Sequence, residues 1–174
     1  AELLARTGVT LGPSSSVSLA RGAEIFAAAC AACHGATGGG DGPAARGLNP
    51  PPRSFQDPQV TAGLSPVRAY SAITDGVAGT AMSSFATLGE RERWDLAFLV
   101  TALRHDDDAA ERGRWAVSTG TAPALSIAQL ANASDAELVA GVDAAQAGDV
   151  LAFYRRVLPA QSDLAALAVT RRGV

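Results

Sequence analysis

Both cysteines of this 174-residue chain, Cys30 and Cys33, lie three residues apart, and His34 follows at once in the run AACAACHGATGGGDGP at 28–43. On a helical turn two thiols at that spacing project to one side, with the imidazole next to them. A disulfide across so short a span would close almost no loop and stabilise little. A thioredoxin-like redox pair needs a strand before the motif in a βαβ context, and no strand pattern precedes it. A structural zinc needs four donors, and beyond Cys30, Cys33 and His34 the chain offers only His105 to complete them.

Cys-x-x-Cys-His is instead the signature of covalent c-type haem attachment. Cys30 and Cys33 would each form a thioether to a haem vinyl carbon, and His34 would offer Nε2 to the iron. Composition agrees with an embedded group. The hydrophobic fraction is 48 %, much of it alanine, with only two Trp, two Tyr and five Phe, so a core built from side chains alone would be thin. One such motif implies one haem c. For the second axial position the candidate is Met82, the chain's single methionine, set in the Gly/Ser-rich segment AGTAMSSFATLG. A thioether there can complete a His/Met pair, which raises the reduction potential. The competing readings are His105 as the ligand and Met82 as filler of the core. The glycines of GGGDGP lack the Gly-Lys-Ser/Thr ending of a phosphate loop and run into prolines, so a nucleotide site is set aside.

The rest of the chain reads as helices joined by irregular segments. Residues 1–17 form an extension or linker, with a short helix over AELLARTG followed by the turn formers TLGPSSSVS. SLARGAEIFAAACAAC predicts a helix capped by Ser18, with Gly22, Phe26, Ala29 and Cys33 on one face. Gly22 is disfavoured inside a helix and so predicts close approach of another element. A long Gly/Pro loop follows His34, then a helix with Ser65 as N-cap and Pro66 at its first position. TLGERERWDLAFLVTALRH predicts a helix with a Thr87–Glu90 capping box and an apolar face of Trp94, Ala97, Phe98 and Thr101. Weaker helical signals lie around 109–117, 126–132, 135–141 and 145–157, with capping-box spacing at Ser126/Gln129 and Ser134/Glu137. No run alternates with period two, so the expected fold class is all-α. The expected division is an extension over 1–17, a haem-bearing domain over 18–106 and a helical C-terminal appendage over 107–174.

A net charge of −3 and a pI near 5.3 argue against nucleic acid as a partner. Asp106, Asp107 and Asp108 read as a solvated helix end. No apolar run is long enough to cross a bilayer, and no basic region followed by an apolar stretch opens the chain. The expectation is a chain that does not itself span a membrane and is mature, truncated or intracellular.

Residues 19 to about 105 resemble a class I cytochrome c, on GAEIF before CAACHG, a distal-loop methionine and the aromatic helix RWDLAFL. The resemblance implies that the first and last helices cross, with Gly22 and Phe26 against Trp94 and Phe98. It carries the thioether roles to Cys30 and Cys33 and the axial roles to His34 and Met82. It also implies a proline carbonyl that accepts from Nδ1 of the histidine. The run Pro50, Pro51 and Pro52 supplies the candidates, Pro51 among them, and spacing does not choose between them. Arg53 either pairs with a haem propionate or is a solvated surface arginine.

The segments CAACHGATGGGDGPAARGLNPPPRSF and LSPVRAYSAITDGVAGTAMSSFATLGERERWDLAFLV are further similar to the cytochrome c domain fused to bacterial high-affinity iron permeases. The tail resembles the helical segment that follows it there. The permease's membrane helices and Arg-Glu-x-x-Glu motifs are absent, so the chain cannot itself transport iron. The implied function is periplasmic one-electron transfer, not enzymatic catalysis, with iron or a redox protein as partner and a membrane permease as associate. The alternatives are a free-standing carrier, a cytochrome subunit of a respiratory or dehydrogenase complex, a haem enzyme or gas sensor with an open distal face, and a binding module docking through 106–174. Thioether attachment outside the cytoplasmic membrane implies a signal peptide in the precursor.

Overall fold

A computed structural model describes residues 12–161. The short helix expected over AELLARTG and the end of the tail lie outside the described residues. The architecture is all-α, with no strand among the described residues.

The first helix, α1 (Leu19–Ala29), starts where the sequence places it, with Ser18 extended and its Oγ accepting the Arg21 N–H at 3.1 Å. It buries Gly22, Ile25 and Phe26, while Ala29, expected on that face, is exposed. The helix expected to run unbroken through Cys33 ends one turn early. Cys30, at φ −115°, caps α1 with its N–H on the Phe26 carbonyl, and a separate turn, α2 (Ala31–His34), carries the rest of the motif. Cys33 therefore does not continue the apolar face of α1.

After the Gly/Pro loop come α3 (Pro58–Thr61) and α4 (Pro66–Asp75), the latter with Ser65 at its N-cap and Pro66 at its start. Helix α5 (Glu90–Ala102) begins at Gly89, whose N–H donates to the Glu92 carboxylate at 3.0 Å. The capping pair is thus Gly89/Glu92 and not Thr87/Glu90. A turn closed by Leu88 N–H to the Phe85 carbonyl holds Thr87 outside the helix. Trp94, Ala97, Phe98 and Thr101 are all buried, as their spacing predicts.

Helices α1 and α5 cross at Gly22. A Cβ there would lie 2.5 Å from the Asp95 carbonyl oxygen and 3.2 Å from Leu99 Cβ, so only glycine allows this approach. The Asp95 side chain, itself buried, accepts the Ser18 N–H at 2.7 Å and so satisfies an orphan donor at the start of α1 from the neighbouring helix.

Beyond α5 the chain continues as α6 (Asp107–Ser118), α7 (Ile127–Asn132), α8 (Asp135–Leu138) and α9 (Ala147–Arg156). The aspartates that read as a solvated helix end are exposed at the start of α6: Asp106 caps it, its carboxylate accepting the Ala109 N–H at 2.7 Å. The expected capping boxes at Ser126/Gln129 and Ser134/Glu137 are formed. Helices α6 and α9 cross at Gly113, where a Cβ would lie 2.0 Å from the Asp149 carbonyl oxygen.

A buried ion network ties this half to α5. Arg155, fully buried, donates to Asp135 and to the carbonyls of Leu130 and Ala133, and Arg104 donates to the other Asp135 oxygen. The two halves share one hydrophobic core running from Val17 to Leu158.

Replacing Gly22 by alanine is expected to lower stability by about 1–3 kcal/mol through overpacking at the crossing, with no effect through charge. Denaturant unfolding of the variant beside the wild type measures it, and equal midpoints would contradict the close approach.

Candidate functional site

Cys30 and Cys33 are free and half-buried, Cys30 at the break between α1 and α2 and Cys33 within α2. Burial, with the neighbouring Cys33 adding to it, pushes the Cys30 thiol up to about 11, so it stays a neutral thiol near pH 7. Among the described residues no group of three or more His, Cys, Asp or Glu side chains is placed to hold a metal ion.

The segment after the motif wraps back on it through the backbone. Gly40 N–H donates to the His34 carbonyl at 2.7 Å and Gly42 N–H to the Cys33 carbonyl at 3.2 Å. Gly42 has no room for a side chain, since a Cβ would lie 2.3 Å from the Ala32 carbonyl oxygen. Gly40, at φ +79°, brings its Cα against the Pro52 carbonyl, 2.6 Å from where a Cβ would be. The glycines of GGGDGP are therefore what lets this loop lie directly on the cysteine turn.

This wrapping selects the acceptor for His34. Its Nδ1 lies 3.2 Å from the carbonyl of Arg53, and not from a carbonyl of the run Pro50, Pro51 and Pro52. The cause is register. The Pro52 carbonyl is directed at Gly40, and Phe55 N–H is fixed to the Gly38 carbonyl at 2.7 Å, which leaves the Arg53 carbonyl facing the ring. Pro51 is exposed, and Arg53 contributes its backbone while its side chain is also exposed. Burial holds the His34 imidazole below its ordinary pKa, opposed by the bond to Arg53, so the ring is neutral near pH 7 with Nε2 left for a metal.

Phe55 went unnoticed in the sequence. Its ring stacks on His34 with centroids 4.8 Å apart and planes 21° apart. The available signal was one aromatic residue closing a Gly/Pro-rich loop, in PPRSF.

Met82 sits in a segment tied tightly to α4. Its carbonyl accepts the Val77 N–H at 3.0 Å and its N–H donates to Thr80 Oγ1 at 3.1 Å. Ser84 Oγ donates to the Thr74 carbonyl at 2.6 Å, and Phe85 N–H to the Ile73 carbonyl at 2.9 Å. The side chain is half-buried, packed against the core that Cys30 and Phe55 also touch. Leu64, Val67, Phe85 and Leu88 share that partly covered position. Two free thiols, a neutral imidazole and incompletely covered apolar side chains fit a covalently held haem. An open hollow of about 550 Å3 beside the loop, lined by Asp41, Gly42, Pro43, Ala45 and Arg46, includes none of the site residues.

His105 lies elsewhere, where α5 meets the C-terminal helices. Its Nε2 is buried without a hydrogen-bond partner, and burial with the charges of Arg104, Arg155 and Arg156 pushes its pKa down to about 4, against the opposing pull of Asp135.

Residues 17–98, just under half of the chain, match the family of cytochrome C oxidase, cbb3-type, subunit III. The match supports a class I c-type cytochrome over this segment, with covalently bound haem c and electron transfer as its chemistry. No curated protein is significantly similar to the sequence. Among solved structures, a chain of the reducing HAO-like protein complex of Kuenenia stuttgartiensis is similar at 23 % identity, with a TM-score of 0.42. The similarity covers 62 % of this chain and spans 60 % of that one, and is too loose to bear on function. No helix among the described residues is long and apolar enough to cross a membrane.

His105 gives a pH dependence with a defined sign. Its folded value of about 4 lies below its ordinary 6.5, so the unfolded chain binds the proton more readily between them. Stability should be fully present above pH 6.5 and decline as pH falls towards 4. Thermal melts across that range check this, and the decline should be shallower in His105→Leu.

Proposed function

We propose that the chain is a one-haem electron carrier, with thioethers at Cys30 and Cys33 and iron held between His34 and Met82. The observation that carries this reading is the grip on His34. The Arg53 carbonyl takes Nδ1 and Phe55 covers one face of the ring, beside two uncommitted thiols. A haem bound here supplies a one-electron iron couple.

The chain's own residues hold and shield that couple. The Arg53 carbonyl fixes the imidazole tautomer and makes Nε2 a better donor. The hydrogen bonds around Val77, Thr80 and Ser84 hold the Met82 loop in place, which supports Met82 as the second ligand. The position of His105 among the arginines of the C-terminal helices supports the same choice. With two protein ligands on the iron no coordination position is left for a substrate, which favours a carrier over an enzyme or gas sensor. The Arg53 side chain, exposed beside this loop, is a candidate partner for a haem propionate. Residues 18–106 are the haem-bearing part on this reading, and 107–174 the appendage.

The resemblance to iron-permease cytochrome domains supports service to a membrane iron-uptake system, with iron or a redox protein exchanging the electron. Covalent haem attachment supports a periplasmic location. A second reading, a cytochrome subunit of a respiratory complex, is favoured by the oxidase-subunit family that matches 17–98.

Met82→Ala holoprotein is expected to lose the methionine–iron charge-transfer band and to show a lower reduction potential. An unchanged spectrum would sink the ligand assignment. Redox titration of the holoprotein with ferrous and ferric iron, followed by its absorption spectrum, separates the partner readings. Electron exchange with iron supports iron uptake, and exchange only with a respiratory redox protein supports the oxidase-type role.

A further inference from the structure

We propose that Phe55 is a positioning residue for the axial imidazole, setting the plane in which His34 presents Nε2. This rests on His34 being an iron ligand, as proposed above.

A single hydrogen bond fixes one point of a ring. The contact from Nδ1 to the Arg53 carbonyl holds the edge of His34 but leaves the ring free to rock about that bond. The stacked face of Phe55, 4.8 Å away and inclined by 21°, opposes that motion. Both restraints come from one short stretch, 53–55, so edge and face are set by the same piece of backbone.

A positioning group must itself be fixed, and Phe55 is held on several sides. Its ring meets Phe26 of α1 edge to face at 6.5 Å and 64°. Its N–H donates to Gly38, and Gly38 has no space for a side chain because Leu103 Cδ1 and Phe55 Cδ2 would lie 2.7 and 3.1 Å from its Cβ. The next residue, Gln56, donates from Nε2 to the carbonyls of Thr37 and Leu103 at 2.6 and 3.2 Å. The stacked ring is thereby referenced to α1 through Phe26 and to the end of α5 through Leu103. The orientation of the imidazole follows from the helix crossing and not from the loop alone.

The plane of an axial imidazole selects which iron d orbitals overlap its π system. In a low-spin ferric haem protein this sets the anisotropy of the electron paramagnetic resonance and the spread of the haem-methyl NMR shifts. These readouts respond to ring orientation and not to stability. In ferric holoprotein, Phe55→Leu is expected to keep the haem and the methionine–iron band while changing the order or spread of the methyl shifts and the g values. Phe55→Tyr, which keeps a stacking ring, is expected to restore them.

Unchanged shifts and g values in Phe55→Leu would overturn the proposal. If Phe55→Leu yields no folded holoprotein, Phe55→Met takes the same measurement with a more adaptable side chain. Wild-type holoprotein without the methionine–iron band would instead refute Met82 as the second ligand, and a His34→Ala holoprotein with an unchanged spectrum would refute His34 as a ligand and this inference with it. With both ligands upheld, only the Phe55 variants decide the outcome.

Discussion

Where α1 crosses α5, the Cα of Gly22 lies so close to the Asp95 carbonyl that no side chain fits between them. That approach determines where the chemistry sits. Phe26, one turn further along α1, is brought to Phe55, and Cys30 follows directly at the end of the same helix. From the other side, Leu103 at the end of α5 packs on Gly38, inside the loop that wraps the cysteine turn. The loop has little regular structure of its own, so its shape is imposed by these two helices and by its backbone bonds to Cys33 and His34. Asp95 reinforces the arrangement by accepting the Ser18 N–H, which ties the start of α1 to the middle of α5.

Helix periodicity made the two crossing helices legible, and Gly22 marked their contact because glycine has no local reason to sit inside a helix. What pattern could not show was geometry decided over distance. Cys30 ends α1 although alanines on both sides favour continuation, because the next turn is bonded to the glycine loop. Thr87 and Glu90 have capping-box spacing, but a turn at 85–88 moves the cap to Gly89. The His34 acceptor is shifted to Arg53 by the pairing of Phe55 with Gly38, two residues whose contact no local pattern encodes. Gly113 carried the same kind of signal as Gly22, yet the weak periodicity around it hid a second crossing as close as the first.

The C-terminal helices are joined to the rest by a different kind of contact. Asp135 is shared by Arg104 from the end of α5 and Arg155 from α9, and Arg155 has no exposed surface. Buried charges of this sort add little net stability as a set, but removing one leaves its partners desolvated and uncompensated, at a cost of about 3–5 kcal/mol. The network therefore acts chiefly to specify how the helices dock. Beside it His105 is held neutral chiefly by burial, with the charge of Arg104 and then those of Arg155 and Arg156 adding to it.

The protonation states of the site bear on what it can do. Cys30 remains a thiol and His34 a neutral imidazole near pH 7, each driven there mainly by burial. A thiolate–imidazolium pair of the kind that activates a cysteine nucleophile needs the opposite shifts, a lowered thiol and a raised histidine. The Nδ1 position that would face an orienting carboxylate in such a pair faces a backbone carbonyl instead, which holds the ring but carries no charge to stabilise an imidazolium. Proton transfer is thus poorly served by this arrangement, while a fixed, uncharged nitrogen donor is well served. A neutral His34, held at Nδ1 by the Arg53 carbonyl and on its face by Phe55, is in the state that a metal ligand needs, which agrees with the ligation proposed above.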